Sequence, residues 1–162
     1  MEKEIRQSIT DYKMPRYICE ILCNHYAKAF LDMTIICENE TYIFSYNKKN
    51  KQRLVYRDLT EIDKLQLVLT LIMINDNNCQ MLIGAERYLI EPELIYSVRN
   101  RTDYGSIGIL FYPDTTMTPF NIKLIRFIDK IGTKNKKKAM SCFDLIKEEL
   151  SKNEMYRARS VA

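Results

Sequence analysis

The chain has 162 residues and is 46% apolar, which suits one domain with a sizeable core. Its longest apolar run, residues 65–74, is about half of the roughly 20 residues that a membrane span needs, and its N-terminus lacks the apolar region of a secretory signal. The five cysteines share no metal-binding spacing, which indicates reduced thiols in a cytoplasmic protein.

The first third of the chain predicts one helix and a small sheet. Residues 1–14 are expected to be an N-terminal tail. A proline followed by apolar residues at helical spacing predicts a helix over about residues 15–27. Two β-rich runs within residues 29–46 flank a polar turn at 38–40, which predicts a hairpin. Residues 53–57 are predicted to add a third strand.

The clearest helix signal begins at Thr60. Its hydroxyl can cap a helix, and Asp63 then falls in the first turn, near the positive end of the helix dipole. Apolar residues follow at steps of three and four, namely Ile62, Leu65, Val68, Leu69, Ile72 and Met73. Because further apolar residues cover nearly every side, we expect the helix to be buried on several sides and to end or kink at residues 76–78.

The second half of the chain predicts a hairpin followed by two helices. Residues 87–113 contain two apolar strands joined by a polar, glycine-containing turn. After a loop over 113–119, apolar spacing predicts a helix over residues 121–130 that stops at Gly132. A last helix is predicted over about residues 138–153.

This order of elements indicates an α+β fold with a small sheet-containing N-terminal half and a mostly helical C-terminal half that includes the β-hairpin. We expect residues 15–154 to form a single domain. Residues 155–162 are expected to be a tail or the start of a linker.

The hairpin region also carries a resemblance to a known fold. Residues 91–95, Glu-Pro-Glu-Leu-Ile, occupy the place of the Lys-Pro-Glu-Asn-Ile segment in the catalytic loop of protein kinases. A long apolar helix precedes this segment, and a hairpin and more helix follow it. Over roughly residues 15–150 the chain therefore resembles an abbreviated protein-kinase fold.

The resemblance implies that the catalytic positions of a kinase are degenerate in this chain. The position of the catalytic base becomes Leu89, the metal-binding Asn becomes Leu94, and the magnesium-binding Asp falls near Phe111. Leucine and phenylalanine cannot accept a proton or coordinate a hard cation. The sequence also lacks a Gly-rich phosphate loop before its first hairpin. We therefore expect no catalysis, no cofactor and no bound metal, and we expect these three side chains to share one cleft.

The whole chain is similar to a small group of bacterial pseudokinase-like domains. One branch, found in Firmicutes, is often joined to a forkhead-associated module, and another is the cytosolic domain of a membrane component of type VII secretion systems. The resemblance implies a non-catalytic scaffold in signalling or secretion, with a protein partner and no small-molecule substrate. It implies a location in the cytoplasm or at the cytosolic face of the membrane, and membrane association would come through other parts of a longer protein.

Two groups of polar residues could be mistaken for catalytic or metal sites. Cys19, Cys23 and His25 lie close in sequence. A structural zinc site needs a fourth ligand from elsewhere, and the sequence has no second histidine to supply it. Glu91 and Glu93 flank a proline, where they are expected to cap a turn or pair with Arg87 rather than act as an acid–base pair.

Tyrosine is frequent in the chain, with eleven residues against no tryptophan. Tyrosine is favoured at protein interfaces, but it also has a high β-propensity. Both explanations stay open for the six that fall in or beside predicted strands: Tyr42, Tyr46, Tyr56, Tyr96, Tyr104 and Tyr112.

The net charge of +4 is concentrated near the C-terminus. Residues 121–162 hold eleven Lys or Arg against five Asp or Glu. The centre of this excess is the cluster Lys134, Lys136, Lys137 and Lys138. Such a cluster could bind nucleic acid or an acidic membrane surface, which is the alternative function, or it could be a solvated loop between two helices.

Overall fold

The computed structural model describes residues 4–132 and 143–152 and has an α+β fold, as predicted. The longer elements in chain order are β1 (Glu4–Thr10), α1 (Arg16–Cys23), β2 (Asp32–Glu38), β3 (Thr41–Asn47), β4 (Gln52–Arg53), α2 (Glu61–Gln80), β5 (Ile95–Ser97), β6 (Ile107–Ile109), α3 (Phe120–Ile131) and a helical segment, 143–152. Short 3-10 turns join several of them. None of the helices within the described residues is long and apolar enough to cross a bilayer.

The first sheet is antiparallel with the strand order β1-β3-β2. Its hairpin turns at Asn39 and Glu40, both with positive φ, which confirms the predicted β2–β3 hairpin. The prediction of a tail is wrong for residues 4–10, which form β1 and pair along the whole length of β3. The strand gave little signal because Ile5 and Ile9 are its only apolar residues, and both are half-buried at the edge of the sheet.

The second sheet, also antiparallel, has the strand order β4-β5-β6. The predicted hairpin of residues 87–113 supplies β5 and β6. The strand predicted over 53–57 is confirmed only at Arg53, which pairs with Tyr96 of β5 and not with the first sheet. Residues 56–58 instead form a 3-10 turn. The pairing of β4 with β5 joins the early part of the chain to the late hairpin.

Helix α2 begins as the sequence predicts. Thr60 Oγ1 accepts a hydrogen bond from the Asp63 amide at 3.1 Å, and Asp63 Oδ2 accepts one from the Thr60 amide at 3.0 Å, so the two residues form a capping box. The expected end of the helix at residues 76–78 is wrong, because α2 continues to Gln80. Asn78 tolerates the helix interior because its side chain is buried and donates to the Tyr88 hydroxyl at 3.2 Å.

The expected burial of α2 on several sides holds for part of its surface. Leu67, Val68, Leu71 and Ile74 are buried. A stripe on another side is exposed, and it includes Ile62, Leu69 and Met73 with exposed fractions of 77%, 57% and 51%.

The other helices follow the predicted order with different limits. Helix α1 stops at Cys23 because the backbone takes a positive φ at His25. Helix α3 ends at Gly132, whose φ of 63° confirms the predicted stop and explains the glycine. Residues 143–152 confirm part of the predicted last helix, whose remaining residues lie outside the described part of the chain. Asn121 fastens this segment to α3 by donating to the Leu150 carbonyl at 3.2 Å.

One apolar core joins the two sheets and the helices. Phe30 lies edge-to-face against Tyr88 and Phe111, with ring centroids 4.9 and 5.2 Å away. The buried Tyr46 of β3 donates its hydroxyl hydrogen to the Phe111 carbonyl. The first sheet is thereby bonded to the chain segment that follows β6, and a cleft forms beside this junction.

Candidate functional site

Leu89, Leu94 and Phe111, which the kinase resemblance would assign to catalytic positions, do not gather around one cleft. Leu89 lines a cleft and donates its backbone N–H to the Tyr112 carbonyl at 2.9 Å. Leu94 is half-buried and packs against the core. Phe111 is 1% exposed and lies inside the core. The expectation of one shared cleft is therefore wrong for Leu94 and Phe111, although the backbones of the segments 89–94 and 110–112 are hydrogen-bonded neighbours.

The cleft beside Leu89 has a volume of about 420 Å³ and lies between β1, residues 89–91, the loop after residue 111, and α3. Part of the lining is apolar and consists of Ile9, Leu89, Ile90, Tyr112 and Pro113. The lining also contains the polar residues Thr115, Thr116, Thr118 and Arg126. Asp114, Lys123 and Glu91 complete the lining.

A buried ion pair stands at the base of the cleft. Lys123 Nζ lies 2.7 Å from Asp114 Oδ2, and the two side chains are 6% and 4% exposed. Lys123 also donates to the carbonyls of Ala85 and Tyr88, each at 2.5 Å. An ammonium group has three hydrogens, so this lysine has none left for a ligand.

Asp114 is equally committed to its own loop. Its Oδ1 accepts hydrogen bonds from the amide and the hydroxyl of Thr116, at 2.8 and 2.6 Å, and its Oδ2 accepts one from the Thr118 amide at 3.2 Å. Burial alone would raise the pKa of Asp114, but the hydrogen bonds from Lys123 and Thr116 outweigh it and lower the pKa to about 2. Burial lowers the pKa of Lys123. The Asp114 carboxylate therefore organises the loop and is poorly placed to act as a base.

The sequence analysis missed this pair. Asp114-Thr115-Thr116 has the composition of a turn in which the aspartate binds the backbone two residues on, and that signal was available. Lys123 lies on the same side of α3 as Phe127, where a charged residue interrupts the apolar spacing. Its partners Ala85 and Tyr88 are far away in sequence, so only the folded chain reveals them.

Glu91 also lines the cleft, and its partner is Lys130 of α3, which donates to Glu91 Oε2. The prediction that Glu91 caps a turn or pairs with an arginine is therefore wrong. Glu93 is exposed. The two glutamates do not both line the cleft, so the arrangement offers no acid–base pair across a bound substrate.

Cys19 and Cys23 lie in α1, and His25 follows the end of this helix. Within the described residues, no group of three or more His, Cys, Asp or Glu side chains could hold a metal ion. His25 Nδ1 instead lies 3.5 Å from Asp32 Oδ1. Cys142 lies outside the described residues.

The strand tyrosines divide between the core and the surface. Tyr46 and Tyr96 are buried, and Tyr56 donates to the Pro92 carbonyl at 2.7 Å. Tyr104 is 38% exposed, whereas Tyr112 is half-buried in the cleft wall. Most of these rings build the sheets and the core, which favours the explanation by β-propensity and packing.

The basic cluster Lys134, Lys136, Lys137 and Lys138 lies outside the described residues. Its role as an interaction surface therefore stays a prediction from sequence.

No family model matches the chain, and no curated protein matches it. The resemblance to pseudokinase-like domains accordingly rests on the residues quoted above.

Proposed function

We propose that the protein is a non-catalytic interaction domain, which acts as a scaffold that binds another protein. The proposal is supported best by the cleft beside Leu89. The Asp114 and Lys123 side chains at its base already form hydrogen bonds within the chain. Leu89, an apolar residue, lies where the resemblance would put a catalytic base.

The chemistry of the cleft supports binding rather than turnover. A general base needs a free lone pair within hydrogen-bond reach of the substrate, and its pKa should lie near the working pH. Asp114 has a pKa of about 2, and its oxygens accept four hydrogen bonds. Glu91 is paired with Lys130. Neither carboxylate is therefore set up to move a proton.

The kinase-like identity belongs to the same proposal, and the absence of Leu94 and Phe111 from the cleft lining counts against it. Its support is the order of elements, with a small antiparallel sheet, a long helix, a Pro-Glu turn at Pro92–Leu94 and a β-hairpin, followed by helix. On that basis we propose a role in bacterial signalling or in a secretion machine, in the cytoplasm or at the cytosolic face of a membrane.

Calorimetric titration with Mg-ATP tests the non-catalytic part of the proposal. We expect no heat of binding at micromolar nucleotide, and no phosphate transfer to the protein itself or to a generic acceptor such as casein. Micromolar binding of Mg-ATP, or transfer above that of a heat-unfolded sample, would contradict the proposal. A Leu89→Asp variant would probe whether restoring a carboxylate at that position is sufficient for any transfer.

A further inference from the structure

We propose that the cleft binds an extended peptide segment of the partner protein that carries one oxyanion, from an acidic or phosphorylated side chain, beside an apolar side chain. The oxyanion would bind Arg126, and the apolar side chain would pack on Leu89 and Tyr112. The inference rests on the proposed function and specifies its binding site.

The first argument is the charge left over in the cleft. Lys123 is neutralised by Asp114, and Glu91 is neutralised by Lys130. Arg126 is exposed and has no ion pair or side-chain hydrogen bond with any residue in the ranges 4–132 and 143–152. The described lining thus presents one uncompensated positive charge, and a guanidinium favours carboxylate and phosphate because it donates two parallel hydrogen bonds.

The second argument is the lining next to that charge. Thr115 is exposed and adds a hydroxyl to the lining, which also includes Ile9, Leu89 and Tyr112. A volume of about 420 Å³ falls in the range of ligand sites, roughly 300–1,000 Å³. The cleft therefore fits a ligand with an apolar part and a single charge better than it fits a highly charged one.

The third argument is the strand edge beside the cleft. Strand β1 is at the edge of its sheet. Ile9 of β1 lines the cleft, and the neighbouring Ser8 carbonyl accepts a hydrogen bond from the Tyr112 hydroxyl at 3.1 Å, so the edge strand borders the cleft. An edge strand offers backbone groups to an extended chain, which is a common way in which domains bind peptides.

These features favour a peptide over a nucleotide. A triphosphate carries several negative charges, whereas the described lining has one uncompensated cation, and the Lys123 ammonium has no hydrogen free to donate. The oxyanion itself does not distinguish a carboxylate from a phosphate, so the experiment must separate these two sources.

The test uses the full chain, labelled with ¹⁵N, and three pools of short N-acetylated peptides. In each pool apolar residues flank one fixed residue, which is glutamate, phosphoserine or glutamine. We expect the amide signals of Leu89, Thr115 and Arg126 to shift with the glutamate or the phosphoserine pool, and the stronger pool identifies the oxyanion. The glutamine pool should bind at least about tenfold more weakly.

Two variants and a matched control locate the site. Arg126→Gln should weaken binding by about tenfold or more, and Thr115→Trp should block the cleft. Arg99→Gln removes the same charge from an exposed turn that does not line the cleft, and it should leave binding unchanged. Each substitution changes an exposed side chain, so we expect all three variants to fold. Their amide spectra report whether they do.

Three results would overturn the inference: no shift with any pool, equal binding of the glutamine pool, or binding that Arg126→Gln and Thr115→Trp leave intact. Titration of the same sample with Mg-ATP separates this failure from failure of the proposed function. A chain that binds neither the peptides nor the nucleotide would reject the peptide site but leave the non-catalytic role standing.

Discussion

Lys123 Nζ lies 2.7 Å from Asp114 Oδ2, and this contact connects three parts of the chain. Lys123 belongs to α3, Asp114 begins the loop that leads to this helix, and the carbonyls of Ala85 and Tyr88 come from the segment after α2. Each of these groups is buried, and their contacts hold α3 against the segment that contains Ala85 and Tyr88. An unpaired charge left at this place would be costly.

Breaking the pair on one side should destabilise the fold strongly. We expect Asp114→Asn or Lys123→Met to lower the free energy of unfolding by about 3–5 kcal/mol, since each leaves an uncompensated buried charge. The double variant should cost less than the sum of the two single ones. Urea denaturation measures all three. Lys130→Met is the matched control on the same helix, because its half-exposed pair with Glu91 should contribute no more than about 1 kcal/mol. Additive single costs would contradict the account.

The same pair predicts a loss of stability in acid. The pKa of Asp114 is lowered from 3.8 to about 2 in the folded state, because hydrogen bonds from Lys123 and Thr116 outweigh the effect of burial. The stabilisation is fully present above the unfolded pKa and is lost as the pH falls through the folded pKa. It should amount to about 2 kcal/mol.

Urea unfolding at a series of pH values from neutral to about 2 measures this loss. The loss of stability in acid should be smaller in Asp114→Asn than in the native protein, because the variant lacks the Asp114 carboxylate. Asp32 and Asp103 also have lowered pKa values, but they contribute equally to the native protein and the variant. In Lys123→Met the pKa of Asp114 should rise, which moves the loss to higher pH. Identical pH profiles for the native protein and Asp114→Asn would rule the pair out as a source of acid sensitivity.

Removal of one buried hydroxyl should test the junction between the first sheet and the rest of the fold. Tyr46 is fully buried, and its hydroxyl donates to the Phe111 carbonyl. Tyr46→Phe leaves that carbonyl without this donor, so we expect a cost of about 1–2 kcal/mol in thermal or urea unfolding. Tyr26→Phe removes a hydroxyl from a side chain that is 66% exposed and should change stability very little. Equal effects of the two substitutions would argue against the buried hydrogen bond.

The elements that sequence reasoning identified are those with local signals. The capping box at Thr60 and Asp63 and the turn at Asn39–Glu40 depend on residues within a few positions, so their composition is sufficient. Strand β1 and the pairing of Arg53 with Tyr96 depend on distant partners. A weakly apolar edge strand has no local pattern that separates it from a tail.

The candidate site follows the same division. Leu89 was identified through the Pro-Glu segment next to it, and it does line the cleft. The expectation that Phe111 would join it was wrong, because Phe111 is buried in the core beside Phe30. Asp114 and Lys123 were missed because their burial depends on carbonyl groups that only the fold brings near them.

The basic cluster permits a test of the alternative function. If Lys134, Lys136, Lys137 and Lys138 bind nucleic acid or an acidic membrane, the affinity must fall steeply with salt, because each phosphate contact releases counterions. Binding of single-stranded DNA and of vesicles rich in phosphatidylserine would be measured at low and physiological salt, for the native chain and for the fourfold alanine variant. The proposed scaffold role predicts weak binding and little change in the variant. Salt-dependent binding that the variant abolishes would favour the alternative. A control variant with alanine at Arg6, Lys13, Arg16 and Lys28 removes the same number of exposed charges elsewhere and controls for the reduced net charge.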